Sequence, residues 1–305
     1  MKEVDESQCP VCGSATTERK IHVSGHNGVS YRLHACATCD LEHWSPRRFD
    51  PSIYNDDGFE AYQLYHSGER PFPRWAEPLF QALPEDAGNA LDVGCGDGSV
   101  LARLQAAGLS VRGTDLDGKS VAIANGKCGE GTCIVSTLDA FAADCRTRGE
   151  TYDLVTFFEV LEHQVEPRQF LADIRSITSK DGMISGSVPN RNRFLATLDR
   201  RYGDGDLPPH HFLWFSAKSL HETLVRGGFA DVRVSRVESV RFGELCTKLK
   251  ALLGRERGKR LGIAHGVFHL AATVLWPVAA AFIHLGRLAM PSHLYFSCRN
   301  PDGPK

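Results

Sequence analysis

From Ala90 to Val188, short apolar runs of strand length alternate with amphipathic stretches. The runs are Ala90 to Val93, Val111 to Asp115, Cys133 to Ser136, Tyr152 to Phe158 and Met183 to Val188; after the first, Val100, Leu101 and Leu104 recur at helical spacing. Buried strands alternating with amphipathic helices are the rhythm of βαβ units in a parallel sheet, which makes the fold class α/β. Phe229 to Val237 and Leu294 to Cys298 predict two later strands. Ahead of Ala90 the texture differs. Residues 1 to 45 hold little continuous apolar sequence and need a staple to fold. Residues 46 to 85, with six prolines and an aromatic stretch around Tyr54 to Tyr65, read as a connector. The expected organisation is a small domain over 1–45, a connector over 46–85, a main domain over 86–239 and 291–300, and an inserted apolar hairpin over 240–290.

Composition narrows the partners. The chain has 305 residues, 42% hydrophobic and 24% charged, and a formal net charge of -2. That balance supplies no basic surface for phosphates, so no nucleic-acid partner is expected. Met1 to Gln8 alternates charged and polar residues without an apolar secretory stretch, which predicts a cytoplasmic protein. Four of the ten cysteines form two CxxC pairs, Cys9-Pro-Val-Cys12 and Cys36-Ala-Thr-Cys39. Two such knuckles supply the tetrahedral thiolate set of a structural zinc ion, with no coordination position left open for chemistry. His34 and His43 flank the second knuckle as alternative ligands or, more simply, as surface histidines.

The candidate cofactor site opens at Ala90-Leu-Asp-Val-Gly-Cys-Gly-Asp-Gly98, a strand entering a glycine-rich turn ahead of a helix. Glycines there let the backbone approach a ligand. Asp92, just before them, would repel a pyrophosphate and attract an ammonium group, which disfavours a nicotinamide oxidoreductase. Asp115 ends the second strand, where a doubly wound sheet places the acid that bonds ribose hydroxyls. Leu138 and Asp139 follow the third strand as an adenine cover and an acceptor for its amine, with Asp139 as a plain helix N-cap the alternative.

LDVGCGDG, the acid in GTDLD, and TYDLVTFFEVLEH followed by DGMISGSVPN together resemble the class I S-adenosylmethionine-dependent methyltransferases, over about two thirds of the chain. The resemblance implies a Rossmann-like, doubly wound seven-stranded sheet whose last strand runs antiparallel. It implies S-adenosyl-L-methionine as cofactor and Asp92, Gly94, Gly96, Asp115, Leu116, Asp139, Phe158 and Glu159 as cofactor-binding residues. The paired knuckles resemble the N-terminal zinc ribbon of a subset met among bacterial glycan and secondary-metabolite methyltransferases. The EVLEH wording resembles that of ubiquinone-biosynthesis O-methyltransferases, where it is associated with a divalent metal; Glu159, Glu162 and His163 would share a helical face and meet a cation, or His163 would simply fix its loop.

Methyl transfer asks the protein to align two substrates and remove the acceptor's proton. The base is expected in Pro208-Pro-His-His-Phe-Leu-Trp-Phe-Ser216, as His211 or His210, ahead of a helix capped by Ser216; the alternative is that these histidines brace the loop. Asn190, Arg191, Asn192 and Arg193 offer hydrogen bonds to a polyhydroxylated or phosphorylated acceptor, or sit solvated in a loop.

Lys248 to Arg260 holds six basic side chains against one acid, and the stretch from Val267 to Leu285 is mostly apolar with Pro277 near its middle. This predicts either a hairpin in peripheral contact with the inner membrane face or one packed on the domain or in a homodimer interface. The expected activity is O-methylation of a sugar, glycan or lipid-linked glycan intermediate. A quinone-type or lipidic phenol is the second reading, and a scaffold with a vestigial domain the third.

Overall fold

The N-terminal residues form an antiparallel meander of β1 (Thr17–Val23), β2 (Ser30–Ala35) and β3 (Glu42–Ser45). In the computed structural model, which describes residues 8–48, 66–68, 70–193, 196, 200, 205–237 and 292–303, one cysteine turn precedes β1 and the other joins β2 to β3. Each turn closes on its own backbone: Gly13 N donates to Cys9 O and Asp40 N to Cys36 O. A short helix α1 (Glu77–Gln81), with proline in its first turn, leads to the main domain and buries Leu79 fully.

The main domain then alternates β4 (Asn89–Val93), α2 (Ser99–Ala106), β5 (Ser110–Asp115), α3 (Gly118–Cys128), β6 (Cys133–Val135), α4 (Leu138–Arg148), β7 (Tyr152–Phe158), α5 (Pro167–Ile177) and β8 (Thr178–Pro189). A two-residue strand β9 (Leu213–Trp214), a helix α6 (Ala217–Arg226), β10 (Ala230–Val237) and β11 (His293–Arg299) complete it. Local chemistry sets the helix ends. Asp117 caps α3 by accepting from Lys119 N and Ser120 N, and the predicted Ser216 cap of α6 is a reciprocal box with Ser219. Gly149 ends α4 in the left-handed region.

The seven-stranded sheet has the order β10-β11-β8-β7-β4-β5-β6, and β11 runs antiparallel to both neighbours. The chain steps outward from β4 to β6 and then returns to β7 on the other side of β4. The crevice at the carboxyl ends of β4 and β7 is therefore the ligand position of an open α/β sheet. Leu101 and Leu104 of α2 with Val121 and Ala124 of α3 fill one face, and Phe141, Phe170, Ile174, Leu220 and Leu224 of α4, α5 and α6 fill the other.

The sequence marks Pro208 to Ser216 as a loop over the pocket, but its β9 pairs with β3 as the fourth strand of the ribbon sheet, Glu42 opposite Trp214 and His43 opposite Leu213. Val11, Leu33, Leu41 and Trp44 of the ribbon accordingly share one core with Phe212 and Phe215. Arg168 Nε donates to Val11 O at 2.7 Å and Arg47 Nε to Val165 O at 3.1 Å, which fastens the same junction. His34 and His43 are not surface residues: they are 8% and 0% exposed and stack at 5.2 Å between ring centroids. His34 Nε2 meets Ser45 Oγ at 2.9 Å, and burial beside Arg47 pushes His43 down to about 3, so both are core side chains.

The hairpin predicted over 240–290 and the aromatic stretch around Tyr54 to Tyr65 lie outside the described residues. Among the described residues no helix is long and apolar enough to cross a membrane.

Candidate active site

The glycine turn after β4 is shaped by two close approaches. Gly94 has φ 71°, and a Cβ there would lie 2.5 Å from Val160 Cγ2; Gly98 has φ 73°, and its Cβ would lie 2.8 Å from the Ala124 Cα. Any side chain at Gly94 would push the turn off the start of the β7 loop, and one at Gly98 would part α2 from α3. Asp115 locks the turn from the next strand: its Oδ2 accepts from Gly96 N at 2.8 Å and its Oδ1 from Asp117 N at 2.9 Å.

These elements border a cavity of about 750 Å³, within the range of ordinary ligand pockets. Seven of the eight predicted cofactor residues line it: Gly94, Gly96, Asp115, Leu116, Asp139, Phe158 and Glu159. Asp92 does not. Its side chain is buried beneath the turn, where Thr156 Oγ1 donates to it at 2.7 Å. Asp139 occupies the second position of α4 while Thr137 stands at the cap, so the N-cap alternative for Asp139 fails. The Thr137 side chain bonds the Asp139 carboxyl and holds it below the usual range.

Burial pushes the Asp92 carboxyl up to about 7. The folded chain thus retains a proton that the unfolded chain releases near the ordinary aspartate value of about 3.9. The stability from this group is complete at low pH and is lost as pH rises through about 7. Between about pH 5 and about pH 8 the melting temperature of ligand-free Asp92→Asn is expected to rise relative to that of the wild type. A difference that stays constant over that range contradicts a neutral buried acid.

The other end of the cavity is lined by Trp75, Glu159, Glu162, His163, His210 and His211. Glu159 has φ 57°, an uncommon conformation for a residue with a side chain. It turns the carboxylate to Ser187 Oγ at 2.6 Å and His293 Nε2 at 3.3 Å. Burial raises the Glu159 carboxyl, but His293 and Ser187 more than reverse this and keep it low. Leu161–His163 is a single 3-10 turn. Glu159, Glu162 and His163 therefore do not share a helical face, and the group that converges within 4.8 Å is Glu162, His163 and His211. Glu162 is 1% exposed, and among the described residues neither carboxyl oxygen has a hydrogen-bond partner; burial and the nearby Glu159 charge push its pKa well up.

His163 meets the carbonyl of His210 at 2.6 Å through Nδ1, which fixes the loop, and burial lowers it to about 3. His211 Nδ1 faces Asp206 Oδ1 at 3.3 Å, and its Nε2 lies on the Glu162 side at 4.0 Å from Oε1. The four residues Asn190 to Arg193 are largely committed elsewhere: Asn190 is 3% exposed, Arg191 pairs with Asp40 at 2.7 Å, and Arg193 pairs with Asp206 at 3.0 Å. Asp206, Trp75 and His293 carry no motif in the sequence; Trp75 lines the cavity and stacks on His293 at 4.7 Å, while His293 and Asp206 reach the lining residues Glu159 and His211 from behind.

In the ribbon the Sγ atoms of Cys9, Cys12, Cys36 and Cys39 lie within 4.8 Å of one another, with Cys9 to Cys39 at 3.5 Å and Cys12 to Cys36 at 3.4 Å. Four sulfurs around one zinc ion at Zn–S distances of about 2.3 Å stand roughly 3.8 Å apart. The set therefore fits a structural zinc ion.

The family model described as a methyltransferase domain matches residues 66–234, more than half of the chain. The chain belongs to that family. It is an S-adenosylmethionine-dependent methyltransferase. The ubiquinone biosynthesis O-methyltransferase of Burkholderia multivorans is 34% identical over 163 residues, 51% of this chain and 69% of that protein. Its counterpart in Burkholderia ambifaria is 28% identical over 160 residues, 50% of this chain and 68% of that protein. Among solved structures, Haemonchus contortus phosphoethanolamine N-methyltransferase 2 with S-adenosyl-L-methionine has TM-score 0.54 at 16% identity, over 86% of this chain and 62% of that one. A SAM-dependent methyltransferase of Thermotoga maritima has TM-score 0.50 at 12% identity, over 82% of this chain and 97% of that one. At such identities these two structures speak for the methyltransferase fold alone.

Proposed function

We propose that this methyltransferase methylates a hydroxyl oxygen, that of a quinone-type phenol, with His211 as the base. The observation that carries the reading is that His211, held by a carboxylate on one nitrogen, shares a cavity with the glycine turn of the cofactor site. The named relatives are O-methyltransferases of ubiquinone biosynthesis. Trp75, Phe158, Val160 and Val165 give the cavity apolar walls suited to an aromatic ring. The sugar hydroxyl expected from the sequence loses support, because Arg191 and Arg193 are spent on Asp40 and Asp206.

When bound, S-adenosylmethionine supplies a methyl carbon that leaves its sulfonium for the acceptor oxygen, giving S-adenosylhomocysteine. Gly94 and Gly96 would admit it against the backbone, Asp115 would accept from its ribose hydroxyls, and Leu116, Leu138 and Asp139 would border its adenine. Asp92 acts from below the turn through Thr156 and the strand ends rather than by contact. His211 takes the acceptor's proton at Nε2, and the carboxylate of Asp206 balances the imidazolium that results. His163, held neutral, braces the loop and does not compete for the proton. Cys9, Cys12, Cys36 and Cys39 hold zinc in a structural role.

The test is transfer of labelled methyl from S-adenosylmethionine to a panel of phenolic and glycosyl acceptors. Label on phenolic oxygens is expected; label confined to glycosides contradicts the reading.

A further inference from the structure

Asp206 is 7% exposed and bound from two sides. Its Oδ2 takes Arg200 Nε at 2.6 Å and Arg193 Nη2 at 3.0 Å, which leaves Oδ1 for His211 Nδ1 at 3.3 Å. Its backbone is tied down as well: the carbonyl accepts from Trp214 Nε1 at 2.8 Å, and the Arg200 guanidinium lies 3.6 Å over that indole. The amides of His210 and His211 both donate to Leu207 O, so the turn between the acid and the imidazole is closed. The carboxylate is thus fixed independently of the histidine.

We propose that Asp206 is the positioning residue of His211, holding the imidazole by Nδ1–H so that Nε2 is the nitrogen open to the acceptor's proton. The inference rests on the reading of His211 as the base. An ionised carboxylate only accepts hydrogen bonds, so its partner nitrogen must carry the hydrogen and the opposite nitrogen keeps its lone pair. Burial raises the Asp206 carboxyl, but the hydrogen bond to His211 and the charges of Arg193 and Arg200 more than reverse this and keep it ionised. The two arginines also fix which oxygen is available. In Asp206→Asn they claim the single amide oxygen and present the NH₂ to Nδ1, which reverses the tautomer.

Histidine-selective ¹⁵N NMR of the full chain with S-adenosylhomocysteine tests this without any acceptor, the His211 signal being assigned by its loss in His211→Gln. Wild type is expected to show Nδ1 protonated and Nε2 bare, Asp206→Asn the reverse, and Asp206→Glu the wild-type pattern. Wild type with Nε2 protonated overturns the proposal, and this result needs no variant to fold. An unchanged tautomer in Asp206→Asn that still binds S-adenosylhomocysteine also overturns it. With an acceptor in hand, Asp206→Asn is expected to lower kcat by about 10²-fold with KM unchanged. That loss is expected to vanish in a His211→Ala background; a loss that persists there marks a merely structural role. Failure of every hydroxyl acceptor refutes the proposed function but leaves the tautomer result standing.

Discussion

Cys39→Ser is expected to strip the chain of its zinc and lower its melting temperature by on the order of 10 °C. Structural zinc supplies about 10–16 kcal/mol to isolated finger peptides, more than the net stability of most small domains. The outer strand of the ribbon has little else to replace it, because β1 is mostly exposed and its apolar side chains Ile21 and Val23 face solvent at 53% and 62%. The damage would not stay local. β3 pairs with β9, and Trp44, 0% exposed, packs edge-on against Trp214 at 5.3 Å, so opening the ribbon wets two indoles and frees the strand that follows His211. The glycine turn lies on other elements. Tryptophan emission should shift to the red and methyl transfer should be lost, while S-adenosylhomocysteine still binds within about threefold. Wild type with no bound zinc by atomic emission, or a variant with unchanged melting, contradicts the structural metal.

His211→Ala is expected to lower kcat by about 10²- to 10⁴-fold, the usual contribution of a general base, with S-adenosylhomocysteine affinity unchanged. His210→Ala is expected to have a much smaller effect. The two neighbours differ in what the fold gives them: His211 has a fixed carboxylate on Nδ1 and a face toward Glu162 and His163, whereas the carbonyl of His210 serves as the anchor for His163. Transfer of label to a phenolic acceptor by each variant separates them. A reversal of the two effects would move the base to His210 and leave Asp206 without a catalytic partner.

Much of the main domain is legible in the sequence because its strands are buried on both faces and read as continuous apolar runs. Tyr152 to Phe158 and the strand near the C-terminus are examples. The glycine turn is legible for a related reason: Gly94 and Gly98 leave no room for a side chain, so the spacing is forced. What depends on long-range pairing is not legible. Leu213 and Trp214 look like loop residues, and nothing local says that β3 will add them to the ribbon sheet. His34 and His43 look like surface histidines because their burial arises from pairing across the sheet: His43 lies opposite Leu213 of the added strand, and His34 stacks on His43. The i, i+3, i+4 spacing of Glu159, Glu162 and His163 suggests one helical face, but the left-handed turn at Glu159 sends its carboxylate to His293 instead. Asp206 carries no motif in the sequence, and its pairing with His211 exists because Arg193 and Arg200 converge on one of its oxygens.

The central claim, a cofactor site built at the carboxyl ends of β4 and β5, is tested most directly by calorimetric titration of the full chain with S-adenosylhomocysteine, comparing wild type with Asp115→Ala. The variant loses the bonds to Gly96 N and Asp117 N as well as the proposed ribose acceptor, and charged hydrogen bonds contribute about 1.5–3 kcal/mol each. One-to-one binding by wild type and at least about a hundredfold weaker binding by the variant is the predicted result. A well-folded wild type that does not bind, or a variant that binds equally well, would contradict the account.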